Sequence, residues 1–342
     1  MKIVVDIQHP AHVHYFKNFI WEMEKKGHEI LITASDKDIA KQLLDCYGFS
    51  YVLLGSYGKG IVRKILHLPI LDFRMWKAVH IFDPDLFIGF SPIRASHVSW
   101  LMRKKTIALD DTEHAKWEHM LYRPFTDVIM TPECFQKDFG KKQIRYNAYT
   151  ELLYLYPTRF TPNQQVLSEL DLTTDDIFFI IRFVSFDANH DVGQSGIRDK
   201  VNIVHTLAKY GQVFITSESQ LPPDLEQYRA KISPDKMHDL LYYSTLFVGE
   251  SSTMASESAC LGTHAVYINT LRLGYTDEEE SKYNLVTTFS DSNTKEEIII
   301  DKILSLLNDP MLREKGKEKR KKLLADSCDP TSTLIELVES RF

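Results

Sequence analysis

The stretch Leu246-Phe247-Val248-Gly249-Glu250-Ser251-Ser252-Thr253-Met254-Ala255-Ser256-Glu257 decides the fold. Its first four residues are apolar and end in glycine, so Leu246–Gly249 reads as a buried strand. Small polar residues then form a turn, and Met254–Leu261 reads as a helix. A short helix, Met237–Tyr243, precedes the strand, and a further strand, Ala265–Ile268, follows. Working backwards, Gln212–Thr216 and Phe178–Phe183 read as strands, with a helix at Lys200–Lys209 between them. Strands separated by helices imply parallel β-α-β units, because a parallel crossover needs a long connection.

The first half shows the same alternation. Lys2–Ile7, Glu29–Thr33, Tyr51–Leu54, Leu86–Phe90, Thr106–Leu109 and Val128–Met130 read as strands. Val13–Lys26 and Asp36–Tyr47 read as helices, with Gly27 stopping the first. Tyr154–Pro162, with Pro157 and Pro162, reads as a linker. Two doubly wound sheets fit a chain of 342 residues.

Composition narrows the class. Hydrophobic residues make up 44% and charged residues 26%, which excludes a disordered chain or a fibre. No apolar run is long enough to span a bilayer. Asp6 interrupts the N-terminal apolar run too soon for a signal peptide. The four cysteines are scattered without a CxxC pair, which suits a reducing cytoplasm. Net charge is −6, which speaks against nucleic acid as a partner. It is unevenly spread: residues 1–156 carry +3 and residues 157–342 carry −9.

Ligands of doubly wound sheets bind beyond the carboxyl ends of the strands. Gln8-His9-Pro10-Ala11-His12-Val13-His14 leaves the first strand. Three histidines invite a metal reading, but Pro10 and the lack of companion carboxylates favour phosphate or acceptor contact by His9 or His12. Simple helix capping is the plainer alternative. Ser91 can cap the helix after Leu86–Phe90, and Arg94 on its first turn can bind an anion. Asp110-Asp111-Thr112-Glu113-His114 can supply a general base, hold a divalent cation, or cap a helix through Asp111 or Thr112. In the second half, Arg182-Phe183-Val184-Ser185-Phe186-Asp187-Ala188-Asn189-His190-Asp191 opens a loop with Gly193 and Gly196 that can close over phosphates. Glu218 ends the next strand. In the deciding stretch, hydroxyls and amides at a helix start can hold phosphate, and Glu257 can accept from both ribose hydroxyls.

Asp110–His114, Arg182–Asp191 and Thr253-Met254-Ala255-Ser256-Glu257 resemble the DUF354 family of bacterial and archaeal proteins over nearly the whole chain. That family is similar to the GT-B superfamily, with its MurG-type glycosyltransferases and UDP-N-acetylglucosamine 2-epimerases. The resemblance implies an α/β fold of two Rossmann-like doubly wound parallel-sheet domains facing across a cleft. The domains would span residues 1–156 (acceptor) and 157–329 (nucleotide-sugar), with residues 330–342 returning as a helix to the first. The ribose-binding glutamate falls on Glu257 and the phosphate turn on Ser251, Ser252 and Thr253. Met237 and His238 would meet the base through backbone groups. The sequence departs from the GT-B relatives in two places. Gln8–His12 stands where MurG-type enzymes have a glycine-rich first loop, and Ser252-Thr253 stands where the epimerases commonly have a pair of glycines in the phosphate turn.

The implied activity is transfer of a sugar from a nucleotide-diphosphate sugar, UDP-linked, without metal or other cofactor. Asp110 or Asp111 would be the base, with His12 as rival. Ser252, Thr253 and Arg182 would hold the diphosphate. His9, His14, Glu113, His114, Ser185, Asp187, His190, Glu218 and Met254 complete the expected substrate surroundings. A 2-epimerase or hydrolase, or a nucleotide-sugar-binding protein without chemistry, are the alternatives. Residues 59–77 interleave Lys59, Arg63, Lys64, Arg74 and Lys77 with aliphatic and aromatic residues, the composition of a surface resting on anionic lipid. Such a surface would suit a lipid-linked acceptor at the inner face of a membrane. Pro69 should split the stretch into two helices.

Overall fold

The first strand, β1 (Lys2–Ile7), runs parallel between two others and is buried from Ile3 to Ile7. Its burial, and its apolar character apart from Asp6, follow from having neighbours on both edges. In this computed structural model, which describes residues 1–56, 61–185 and 195–342 without the side chains of Asp38 and residues 61–65, the chain divides into two units. One comprises Met1–Tyr154 with Cys328–Phe342, the other Leu155–Ser327.

The first unit adds β2 (Glu29–Ser35), β3 (Tyr51–Gly55), β4 (Leu86–Phe90), β5 (Lys105–Leu109), β6 (Val128–Pro132) and β7 (Gln143–Tyr146). All pair in parallel, in the order β3-β2-β1-β4-β5-β6-β7. Strand order reverses between β1 and β4, which is where such sheets open for ligands. The helix after β1 starts at Pro10, because His9 Nδ1 accepts the amide of Ala11 and proline suits a first helical position. It ends where Gly27 adopts φ +85°.

Residues 61–79 form one helix, Ile61–Val79, with Pro69 inside it, and not the expected pair. An interior proline costs about 3 kcal/mol. Burial of Leu71, Met75 and Val79 one turn apart offsets it. The last helix, Pro330–Arg341, begins where Asp329 accepts the amides of Thr331 and Ser332. It packs on helix Pro10–Lys25, burying Leu334 and Val338, with Thr331 Oγ1 donating to Leu153 O at 2.7 Å.

The second unit contains β8 (Phe178–Phe183), β9 (Gln212–Ser217), β10 (Leu246–Gly249), β11 (Ala265–Ile268) and β12 (Val286–Phe289). They pair in parallel in the order β12-β11-β10-β8-β9. Phe179, Ile181, Phe183, Val248 and Val266 form the centre of its core. Among the described residues, no helix is long and apolar enough to cross a membrane.

Candidate functional site

In the second unit the site grows from the carboxyl end of β10. Gly249 pairs with Arg182 of β8, and a Cβ there would lie 2.8 Å from Arg182 O, so only glycine fits this close approach. Glu250 follows and is buried. Its carboxylate accepts the amides of Val184 and Ile197, both at 2.8 Å, and Lys200 Nζ lies 3.5 Å away. Burial pushes Glu250 above the ordinary carboxylate range, against the pull of Lys200 and the two amides. Glu250 thus fastens the backbone on both sides of residues 186–194, which lie outside the described residues together with the expected site residues Asp187 and His190. Gly196 is part of this fastening, because a Cβ would meet Glu250 Oε1 at 2.4 Å.

Ser251 caps the next helix, Ser252–Leu261, by accepting the Met254 amide at 3.3 Å. The amides of Ser252 and Thr253, at the first helical positions, have no acceptor within the helix and face its start. Their side chains, and that of Met254, are half-buried. Further along, Glu257 is buried, with Oε1 2.9 Å from Nε2 of the equally buried His238. A carboxylate only accepts, so His238 donates there. His238 therefore engages through its side chain. Met237, half-buried, starts the helix Met237–Tyr243 that carries it. On the helix Ser252–Leu261, Ser256 Oγ donates to Glu279 at 2.6 Å. Burial pushes Glu279 up to about 8.

Beside the turn, Arg182 Nη2 donates to Glu218 Oε1 at 2.7 Å, while Ser185 N and Oγ reach Glu218 Oε2 at 3.4 and 3.3 Å. Arg182 Nε is buried without a hydrogen-bond partner among the described residues. A buried, unsatisfied guanidinium N–H is costly, and an anion would relieve it.

The first unit treats its polar residues differently. Arg94 is fully buried and does not present an anion site. Its fork grips Asp6 through Nε at 2.9 Å and Nη2 at 2.7 Å, and Nη1 reaches Ser35 Oγ at 3.0 Å. His9 is exposed and caps its helix. His12 is buried against Tyr15 and Phe90, and Gln8 N–H donates to its Nδ1 at 3.3 Å. Burial, then His9, Lys37 and Arg94, hold His12 well below its ordinary value. It is neutral near pH 7 with its proton on Nε2, so it offers a donor and does not fit the role of base. His14 lies 3.2 Å from Tyr47 OH and stacks on Tyr154. The three rings serve separate partners. Among the described residues, no group of three or more His, Cys, Asp or Glu is placed to hold a metal.

Asp110 and Asp111, adjacent in sequence, part company. Asp110 accepts from Ser91 Oγ at 3.0 Å, Thr112 N at 2.9 Å and Tyr122 OH, with His119 Nε2 3.1 Å away. Three of these groups crowd Oδ2 and only Thr112 N reaches Oδ1, so Asp110 is a structural hub of this turn. Ser91 therefore does not cap its helix, whose N-cap is Pro92. Nor do Asp111 or Thr112 cap the helix Lys116–Tyr122, which begins after Ala115 without a side-chain cap. Asp111 is buried and receives hydroxyls from Thr112, at 2.9 Å, and Thr150. Burial pushes it up to about 7, with Asp110 and Glu113 adding to the rise and the two hydroxyls opposing it. A carboxyl half-ionised at neutral pH suits proton transfer. Glu113 accepts the Gln136 amide at 3.3 Å, and His114 is half-buried in the turn beside it.

A model of the family described as "Protein of unknown function (DUF354)" matches residues 1–340. The chain belongs to DUF354. The DUF354 chain is also 25% identical over 283 residues to an uncharacterised protein of Methanocaldococcus jannaschii, covering 78% of this chain and 81% of the other. Among solved structures it resembles a UDP-GlcNAc 2-epimerase from Neisseria meningitidis bound to UDP-GlcNAc, with TM-score 0.70, 12% identity and full coverage of both chains. It also resembles the spinosyn rhamnosyltransferase SpnG complexed with spinosyn aglycone, with TM-score 0.66, 12% identity and 99% coverage of each chain. A UDP-GlcNAc 2-epimerase from Methanocaldococcus jannaschii matches at TM-score 0.61 and 11% identity, over 91% of this chain and 94% of that one. At these identities the likeness carries the fold, and the fold of the DUF354 chain is GT-B-like.

Sequence reasoning missed several residues that shape these sites. Glu250 stood inside the deciding stretch without a role, although a carboxylate directly after a buried strand must find donors. Tyr122, His119, Thr150 and Glu279 carried no local signal, because their partners lie 9 to 39 residues away in the chain.

Proposed function

We propose that the DUF354 chain transfers a sugar from a nucleotide-diphosphate sugar, UDP-linked, to an acceptor hydroxyl. The observation carrying this reading is Glu257, buried and oriented by His238 on a helix whose first amides leave the end of β10. A fixed carboxylate there can take both ribose hydroxyls, while the Ser252 and Thr253 amides and hydroxyls, with Arg182 Nε, take the diphosphate. As the bond from the anomeric carbon to the diphosphate oxygen breaks, these donors stabilise the charge developing on the leaving group. Asp111 is the base for the acceptor proton. That the Neisseria epimerase was solved with UDP-GlcNAc supports a UDP-linked donor.

The test is thermal unfolding of the purified protein with UDP, GDP and dTDP and their sugars. A ligand at 100 times its Kd adds about 2.7 kcal/mol of apparent stability. UDP and its sugars should raise the transition most, and no shift with any nucleotide would overturn the reading. A second reading, a 2-epimerase or hydrolase, is favoured by Asp111, since a group titrating near 7 can give as well as take a proton. Epimer formation or UDP release from UDP-GlcNAc without acceptor would select it. Binding without any turnover would leave a nucleotide-sugar-binding protein.

A further inference from the structure

One helical layer of the first unit carries large apolar side chains outward. Helices Ile61–Val79, Ile93–Leu101 and Lys116–Tyr122 follow β3, β4 and β5 and pack in that order. His97, on the middle one, lies 2.9 Å from Asp72 Oδ2 of the first and 3.0 Å from Leu121 O of the third. On the first helix Leu66, Ile70 and Phe73 recur at i, i+4 and i+7, away from the buried Leu71, Met75 and Val79. The second ends in Trp100 and Leu101, and Trp117 and Met120 stand on the third. These seven side chains are between 48% and 67% exposed. Trp100 meets Phe125 edge-on at 5.5 Å, and Phe73 stacks on Trp76. Three of the chain's four tryptophans thus belong to this layer. Scattered apolar residues need no explanation, but seven across three adjacent helices do.

Charge selects the occupant. Exposed Lys77 lies one turn beyond Phe73, exposed Arg103 two residues beyond Leu101, and exposed Lys116 one turn before Met120. The acids nearby are engaged or turned aside. Asp72 faces His97, Asp83 holds Lys104, Asp127 holds Lys105, and Glu118 is half-buried. A second copy docked by two-fold symmetry would set this cationic rim against itself. An anionic lipid surface instead meets both features. Tryptophan and phenylalanine favour the headgroup level, and lysine and arginine favour its phosphates.

We propose that this three-helix face docks the protein on anionic membrane surface. The proposal extends well beyond residues 59–77 and does not depend on the nucleotide-sugar reading. The test is co-sedimentation of the full chain with phosphatidylcholine vesicles, with and without phosphatidylglycerol, at low and high salt. Partitioning should be at least about tenfold stronger with phosphatidylglycerol and should weaken as salt rises. Each basic residue near the surface is worth roughly fivefold, so Lys77→Glu with Arg103→Glu and Lys116→Glu should abolish the preference. Trp117→Ser alone, at an exposed site that folding tolerates, should reduce binding at both salt levels. No pelleting, or equal pelleting with both vesicle types, would overturn the proposal. So would a dimer in sedimentation velocity that Trp117→Ser dissociates, which would make a second copy the occupant.

Discussion

The strand ends of the two units carry similar numbers of polar side chains but dispose of them in opposite ways. In the first unit they bond mostly to one another. Arg94 closes on Asp6, and Asp110 gathers Ser91, Thr112, Tyr122 and His119, which leaves Asp111 as the group near neutrality. In the second unit the bonding is anchored from behind: Glu250 holds the flanking backbone and His238 holds Glu257. Among the described residues, Arg182 Nε is left without a hydrogen-bond partner, and the first amides of the helix Ser252–Leu261 have none within that helix. A polar residue at a strand end is therefore evidence of a ligand only after its neighbours have been satisfied.

The contrast can be broken most severely at Asp111. Asp111→Asn should lower turnover about 10²–10⁴-fold if it is the base. The wild-type rate should rise with pH and level off above about 7, a limb the variant should lack. The stability sign is the reverse of an ordinary ion-paired acid. A carboxyl raised in the folded state stabilises it below the unfolded value, and that benefit is lost as pH rises through 7. Asp111→Asn should thus melt higher than wild type at pH 8 but not at pH 4. Unchanged turnover in a folded variant would return the base to the other candidates.

Next comes Arg94→Met, which leaves Asp6 buried without its partner. Urea unfolding should show a loss of about 3–5 kcal/mol, largely recovered when Asp6→Leu is added. A full-strength fold with weakened ligand binding would instead make Arg94 a site residue. Glu257→Ala sharpens the other side of the comparison. Titration calorimetry on the folded variant should show nucleotide affinity reduced by about 1.5–3 kcal/mol, alongside a stability loss of about 1–3 kcal/mol from leaving buried His238 without its acceptor. The smallest effect is expected at Ser251→Ala, about 1 kcal/mol of stability from the lost cap. Nucleotide affinity falling by more than that would give the hydroxyl a ligand as well.

These contrasts explain what the sequence could reveal. Continuous apolar runs made β1, β4, β8, β10 and β11 readable to the residue, because central parallel strands are buried on both faces. Two of the four edge strands lack that signature: Gln143-Ile144-Arg145-Tyr146 (β7) and Val286-Thr287-Thr288-Phe289 (β12) look like loop, whereas the edges β3 and β9 were readable as strands. Pro69 misled because local propensity was outweighed by burial of the helix it sits in. Asp110 and Asp111 are chemically identical in the sequence. Only folding brings Tyr122 and His119 to one and Thr150 to the other. Arg94 looked available for an anion because its partner, Asp6, lies 88 residues earlier.

The last helix has a consequence for synthesis. Residues 155–327 form a closed unit inserted between Tyr154 and Cys328, so the seven-stranded unit lacks its final piece until the ribosome has passed the entire insertion. At about 5–20 residues per second, roughly 10–40 s separate Tyr154 from Val338. Throughout that interval the groove on helix Pro10–Lys25 that buries Leu334 and Val338 stands uncovered. The second unit is thus free to reach its native state on the nascent chain while the older half waits for its closing segment.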